Sequence, residues 1–292
     1  MKDKVVITCA LTGGAPIKQT NPAAPYTTAE YVREAKRAEE AGAAVLHLHF
    51  RQPDTGDPTS EPAIMQEVLD AISAETKMLI NLSTGIIPIA PLTERKRPIQ
   101  YHAPDLASLN PGSMNFCIVN HRDGGIIYDW TYVNPFAATI EFGTLMKEKG
   151  IKPELECFDI GHIHNVHFFI KHYDFLVFPL HFSFVFGVAG GMAFAPDVLS
   201  ACIHALPPGS TWQGIGIGPF SFPVAMASAI HGGHLRVGFE DSIFVDYTTK
   251  RLAKSNGELV EKAVEIARLA GREVASPDEA RLILNLPSRN GA

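Results

Sequence analysis

Two histidines, His47 and His49, stand two apart in an apolar run over 45–50. Successive side chains on a strand alternate faces, so both rings point the same way and could bind one metal ion together. A hydrogen-bonded histidine pair in a polar site fits the same spacing, and His-x-His alone leaves both readings open. A third ligand would separate them. Glu240 is the candidate: Arg236-Val237-Gly238-Phe239-Glu240-Asp241 places two adjacent carboxylates just past a later apolar run. Two histidines and a glutamate with an open position form a recognised catalytic zinc set, whereas a carboxylate-rich octahedral magnesium site needs no paired histidines. One of the two acids could instead cap a following helix. Arg236, two side-chain alternations before Glu240, would pair with Asp241 or with a substrate, or would simply close the fold in a salt bridge.

Two weaker motifs accompany these. Asn81-Leu82-Ser83-Thr84-Gly85 ends an apolar run with hydroxyls, an amide and a glycine, a composition that can present Ser83 and backbone N–H groups to an anion. Ser108-Leu109-Asn110-Pro111-Gly112-Ser113-Met114-Asn115-Phe116 closes another run with polar side chains, although Asn-Pro-Gly is also plain turn chemistry. A second histidine group, His162, His164, His167 and His172, invites a metal reading. It is expected to start and follow a helix, where positions i and i+2 diverge, so a solvated or capping role is the better expectation.

These residues need a frame to bring them together. Short apolar, β-branched runs alternate with helical-period segments, the pattern of repeated βα units on a parallel sheet. Strands are expected over 5–10, 45–50, 78–82, 106–110, 154–158, 175–181, 211–216 and 235–238, eight in all. Helices are expected over 28–41, 63–73, 94–102, 135–149, 162–172, 196–205, 222–231 and 259–270. Eight such units predict an α/β fold, a (β/α)8 TIM barrel, as a single domain over 1–292. An open doubly wound sheet is the rival, but residues 11–15 do not form its Gly-rich phosphate loop. In such barrels active sites gather at the C-terminal strand ends, where each motif above falls.

Composition narrows the function. A chain of 292 residues with 46% hydrophobic content can bury one large core, and its net charge of −6 without a long basic run argues against nucleic acid. Cys9, Cys117, Cys157 and Cys202 lie far apart and read as reduced thiols. The first residues lack the apolar core and cleavage site of a signal peptide, so a cytoplasmic protein is expected. The apolar stretch over 175–192 is interrupted by Pro179, His181, Ser183 and glycines, which suits a buried strand and loop better than a membrane span.

The motifs H-L-H, N-L-S-T-G, S-L-N-P-G-S-M-N-F, E-C-F-D-I-G-H, V-A-G-G-M and R-V-G-F-E-D, in this order from Val5 to about Asp241, resemble the β-keto acid cleavage enzymes. The resemblance implies a zinc-dependent barrel that takes a β-keto acid and acetyl-CoA and yields acetoacetate and a new acyl-CoA, the reference substrate being 3-keto-5-aminohexanoate. It implies His47, His49 and Glu240 as zinc ligands, Asp241 as general base, Arg236 as its orienting partner, and Ser83 and Asn110 at the substrate, where Thr84 and Gly85 of the same strand-end motif are expected beside Ser83. Arg236 is then expected to hold Asp241 ionised with a low pKa. Homo-oligomers, tetramers in particular, are common among such relatives.

One departure concerns the loop Thr12-Gly13-Gly14-Ala15-Pro16, which offers no acid where relatives acting on amine-bearing substrates can carry one. The aromatic run Phe182-Ser183-Phe184-Val185-Phe186 could line an acyl pocket, though core packing is the stronger expectation. Loops around Gly190 and Gly218 are the only suggestion of a CoA site, and the tail over 276–292 would serve subunit contacts or cover the barrel. A zinc hydrolase using the same ligands, and a non-catalytic metabolite-binding barrel, are the rival functions.

Overall fold

A computed structural model of the chain describes residues 4–287 apart from Pro16, Pro88 and 120–122. Eight parallel strands close into a barrel in sequence order: Ile7–Ala10, Val45–Leu48, Leu79–Leu82, Leu106–Leu109, Lys152–Cys157, His181–Phe186, Thr211–Gly216 and His234–Val237. The ring shuts where the eighth strand pairs with the first, Arg236 opposite Thr8. Helices surround the strands, as expected of a TIM barrel.

Local signals explain the helices. Thr28–Ala41 starts at a capping box of Thr27 and Glu30 and stops at Gly42, whose φ of 115° a side chain would resist. Proline opens Pro62–Glu75, Pro196–His204 and Pro277–Ile283, where its missing N–H costs nothing. Asp159 caps Ile160–His172 by accepting from the N–H of Gly161.

Three expectations need correction. The sixth strand is His181–Phe186, not 175–181. Pro179 cannot donate to a ladder, and Phe175 and Leu176 instead pack in the outer core. The alternation over 181–186 sends Phe182, Phe184 and Phe186 outward into that core and leaves Ser183 facing in, so the three aromatic rings line no pocket. Burying each ring fully contributes roughly 1.5–3 kcal/mol. The helix over 94–102 is two short pieces, Leu92–Arg95 and Arg97–Tyr101, the second opening around Pro98. The first barrel strand begins at Ile7, because Lys4–Val5 leaves it to pair with Glu273–Val274.

An unforeseen hairpin, Met114–Val119 with Ile126–Tyr132, follows the fourth strand. The tail, as far as residue 287, covers the barrel: Ala280, Leu284 and Leu286 pack against Val6, Val45, Leu79 and Leu106 at its N-terminal end. Residues 288–292 lie outside the described residues. All four cysteines are free, Cys117 half-buried and the others buried. No described helix is long and apolar enough to cross a membrane.

Halfway along the barrel the interior is polar where branched apolar layers are usual. Thr8 donates to Gln213 at 3.0 Å, Gln213 to Ser183 at 2.9 Å, and Ser183 to Glu154 at 2.8 Å, while Asn81 donates a short bond to the other oxygen of Glu154. This buried belt forms the floor under the C-terminal mouth.

Candidate metal centre and proton-transfer site

His47, near the end of the second strand, and His49, just past it, point into the mouth as their spacing predicts. Helix Thr28–Ala41 fixes the turn, the Tyr31 hydroxyl donating to the His49 carbonyl at 2.8 Å. Glu240 arrives from the eighth strand through Gly238, where a Cβ would sit 2.1 Å from the Ala10 carbonyl oxygen. Only glycine allows that approach. Nε2 of His47 lies 3.6 Å from Glu240 Oε2, and Nε2 of His49 lies 3.5 Å from Oε1.

The trio fits a divalent cation. One donor atom from each residue falls within 4.8 Å of the others. Glu240 Oε2 and His47 Nδ1 are buried without a hydrogen-bond partner, a costly arrangement unless a ligand or water satisfies them. Burial holds the His47 imidazole well below its usual pKa, keeping it in the neutral, ligating form. Burial alone would raise Glu240, but Arg236 and the two imidazoles hold it well below the usual carboxylate range.

Arg236, buried on the eighth strand, joins three carboxylates. It donates to Asp241 from Nε at 3.1 Å and from Nη2 at 2.9 Å, to Glu240 from Nη2 at 2.5 Å, and to Glu156 from Nη1 at 3.4 Å. The expectation of a low pKa for Asp241 is not met. Burial pushes it up, outweighing Arg236, with Glu240 adding to the rise, and the result is about 6. A bound cation would act the other way.

The remaining predicted residues divide. Ser83 Oγ accepts from the N–H of Gly85 at 3.0 Å and is otherwise unengaged at the end of the third strand. Asn110 is buried with both side-chain polar atoms unpartnered, while its carbonyl accepts from Thr139 at 3.1 Å. Thr84 is turned away: its hydroxyl donates to the Ser108 carbonyl at 2.8 Å and its N–H to Ser108 Oγ at 3.0 Å, leaving neither for a ligand. Gly85 makes room, since a Cβ there would lie 3.0 Å from the Tyr132 hydroxyl and 3.2 Å from Ser83 Oγ. In the other histidine group, His162 accepts from the Phe158 N–H at 3.3 Å and His167 faces the Ala205 carbonyl at 2.7 Å; neither belongs to a metal-capable cluster among the described residues.

Three residues escaped the sequence reading. Glu154 and Glu156, two apart on the fifth strand, both face in, and with His47 they form a second group of metal-capable atoms. Burial raises both carboxyls, Glu156 to about 8. Their signal was Glu-Leu-Glu-Cys, two charges at strand period inside an otherwise apolar run. The third is Arg51, buried under the first loop and donating to the carbonyls of Gly13, Ala15 and Gly56.

Fold and site together define a TIM barrel with a candidate metal centre at its C-terminal mouth, flanked by an arginine-held carboxylate. Comparison with known proteins narrows this class. A family model described as beta-keto acid cleavage enzyme matches residues 4–286. The 3-keto-5-aminohexanoate cleavage enzyme of Fusobacterium nucleatum subsp. nucleatum is 40% identical over 287 residues, covering 98% of this chain and 99% of that one. The 3-oxoadipate:acetyl-CoA acetyltransferase of Cupriavidus necator is 35% identical over 292 residues, covering 99% and 97%. Among solved structures, apo ObcA matches with a TM-score of 0.73 at 19% identity, over 91% of this chain and 66% of that one, a likeness of fold. The chain belongs to the beta-keto acid cleavage enzyme family.

Proposed function

We propose that this chain is a zinc-dependent acyltransferase that converts a β-keto acid and acetyl-CoA into acetoacetate and a new acyl-CoA. The observation that carries the reading is the juxtaposition of a partly orphaned His47–His49–Glu240 set with the Arg236-bound carboxylate of Asp241. A zinc ion held by those three residues would act as a Lewis acid toward the ketone and carboxylate oxygens of the substrate.

Asp241 accepts the proton from the carbon between ketone and carboxylate. Its two bonds to Arg236 fix the carboxylate in one orientation, and its pKa of about 6 leaves it largely ionised yet basic near neutrality. Ser83, with a hydroxyl proton to offer, and Asn110, with an unpartnered amide, hold the substrate's oxygens. The substrate carbanion then attacks the acetyl-CoA thioester carbon. After CoA transfer to the former ketone carbon, cleavage between that carbon and its neighbour releases acetoacetate. Atoms balance without any redox partner, and Asp241 returns its proton to the departing carbanion.

Carbon-labelled acetyl-CoA tests this directly. Incubated with zinc-loaded protein and a panel of β-keto acids, it should give acetoacetate carrying the two labelled acetyl carbons by mass spectrometry. Unlabelled acetoacetate, or hydrolysis of the acid without acetyl-CoA, would defeat the proposal. The relative named for acetyl-CoA chemistry, the 3-oxoadipate:acetyl-CoA acetyltransferase, supports the reading against a zinc hydrolase.

A further inference from the structure

Opposite the histidines, the upper wall of the mouth is apolar. Phe158, Val185 and Ile215 each stand two positions beyond an inward polar residue, Glu156, Ser183 and Gln213 respectively, and so rise one storey above the polar floor. The hairpin adds Met114 and Tyr132, and the five side chains form one contiguous buried cluster. Phe116, Val188 and Ile217 pack on it, part-exposed at the rim. Tyr132 meets Phe158 edge to face, with centroids 6.2 Å apart and planes at 82°.

The wall borders the reaction site. At Gly85 an added Cβ would touch both Ser83 Oγ and the Tyr132 hydroxyl, so those two groups are close neighbours. Its polar atoms are already engaged: the Tyr132 hydroxyl accepts from Arg95 at 3.1 Å, and that guanidinium also donates to Thr84, Val133 and Asn134. The first loop brings Gly13 and Gly14, without side chains, against Glu240 and Ile86. Among the described residues, the wall and this loop present no charged group to a ligand.

We infer that the substituent on the ketone carbon of the β-keto acid is uncharged and apolar, an alkyl or aryl chain lying against the Phe158–Val185–Ile215 wall. The inference rests on the reaction proposed above. An ammonium or carboxylate placed here would lose its hydration without gaining a partner, and a site of this kind should reject such an acid by at least about 100-fold.

Three six-carbon acids make a matched test: 3-oxohexanoate, 3-keto-5-aminohexanoate and 3-oxoadipate, each with zinc-loaded protein and acetyl-CoA. The expected kcat/KM for 3-oxohexanoate exceeds that for both charged acids by about 100-fold or more. A charged acid turned over as well or better would overturn the inference. If none reacts, the proposed reaction fails, and calorimetric binding of the same acids to the zinc-loaded protein decides the pocket separately. Tighter binding of 3-oxohexanoate by about tenfold sustains it; equal binding, or none, overturns it. Val185→Asp, or Ile217→Asp at the more tolerant rim, should improve the amine-bearing acid relative to 3-oxohexanoate by about tenfold without helping 3-oxoadipate. An unchanged ratio in both variants would remove this wall from the acyl site.

Discussion

Arg236 grips Asp241 in a bidentate pair, 3.1 Å from Nε to Oδ2 and 2.9 Å from Nη2 to Oδ1, and the same Nη2 reaches Glu240 at 2.5 Å. The proposed base and the proposed metal ligand therefore share one cation. Neighbouring residues 240 and 241 are told apart by what remains free: Glu240 keeps an orphaned oxygen for a cation, whereas both oxygens of Asp241 are engaged with Arg236.

Asp241→Asn is expected to retain zinc and substrate binding while turnover falls by roughly 10²–10⁴-fold, the usual contribution of a positioned general base. Steady-state kinetics beside metal analysis checks this. Near-normal turnover would take the proton-transfer role away from Asp241.

His49→Ala should abolish zinc retention along with activity, because two protein ligands hold the ion far less tightly than three. Mass spectrometric metal analysis should show about one zinc per wild-type chain and almost none in the variant. Full zinc in the variant would exclude His49 as a ligand.

Arg236→Met leaves Asp241, Glu240 and Glu156 facing one another in a buried space without their shared cation. Removing one side of a buried ion network costs about 3–5 kcal/mol, and urea denaturation should show a loss of that order. A variant as stable as the wild type would mean the network contributes little to folding.

Burial, with help from Arg272, pushes His234 down to about 3, while its Nδ1 accepts the N–H of Val6 at 3.1 Å. The folded chain thus keeps His234 neutral where the unfolded chain protonates it, from about pH 6.5 downward. Stability from this group is complete above pH 6.5 and drains away as the pH falls towards 3. In His234→Asn the slope of unfolding free energy against pH between 4 and 6 should fall by about 1.4 kcal/mol per pH unit, one proton's worth. An unchanged slope would show that His234 is not the group taking up that proton.

Gly13 has a φ of +64°, and a Cβ there would come within 2.5 Å of Glu240 Cγ. Gly13→Ala should weaken zinc binding by about tenfold by displacing that carboxylate, with little change in melting temperature. Competition with a chelator measures it, and unaltered affinity would show that the loop yields instead.

Much of this was legible from residue order. His-x-His at strand period, and acids placed after the last strand, foretold which side chains meet, because a closed ring puts the eighth strand beside the first. What stayed hidden depended on facing. The run from Phe175 to Phe186 is apolar apart from His181 and Ser183, so its strand could be placed only where inward Ser183 meets Glu154. The Asp241 pKa was misjudged because adjacency to Arg236 is visible in the chain, whereas the degree of desolvation is not. The hairpin that brings Tyr132 over Gly85 has no counterpart in a plain βα repeat.

The polar belt through Thr8, Gln213, Ser183, Glu154 and Asn81 ties the first, seventh, sixth, fifth and third strands into one hydrogen-bonded chain. Any single replacement leaves a neighbour's donor or acceptor stranded. Laboratory evolution of this scaffold should therefore find its tolerant positions above the belt, among the strand-end and hairpin side chains. New acyl preferences could be selected there while the floor is inherited unchanged.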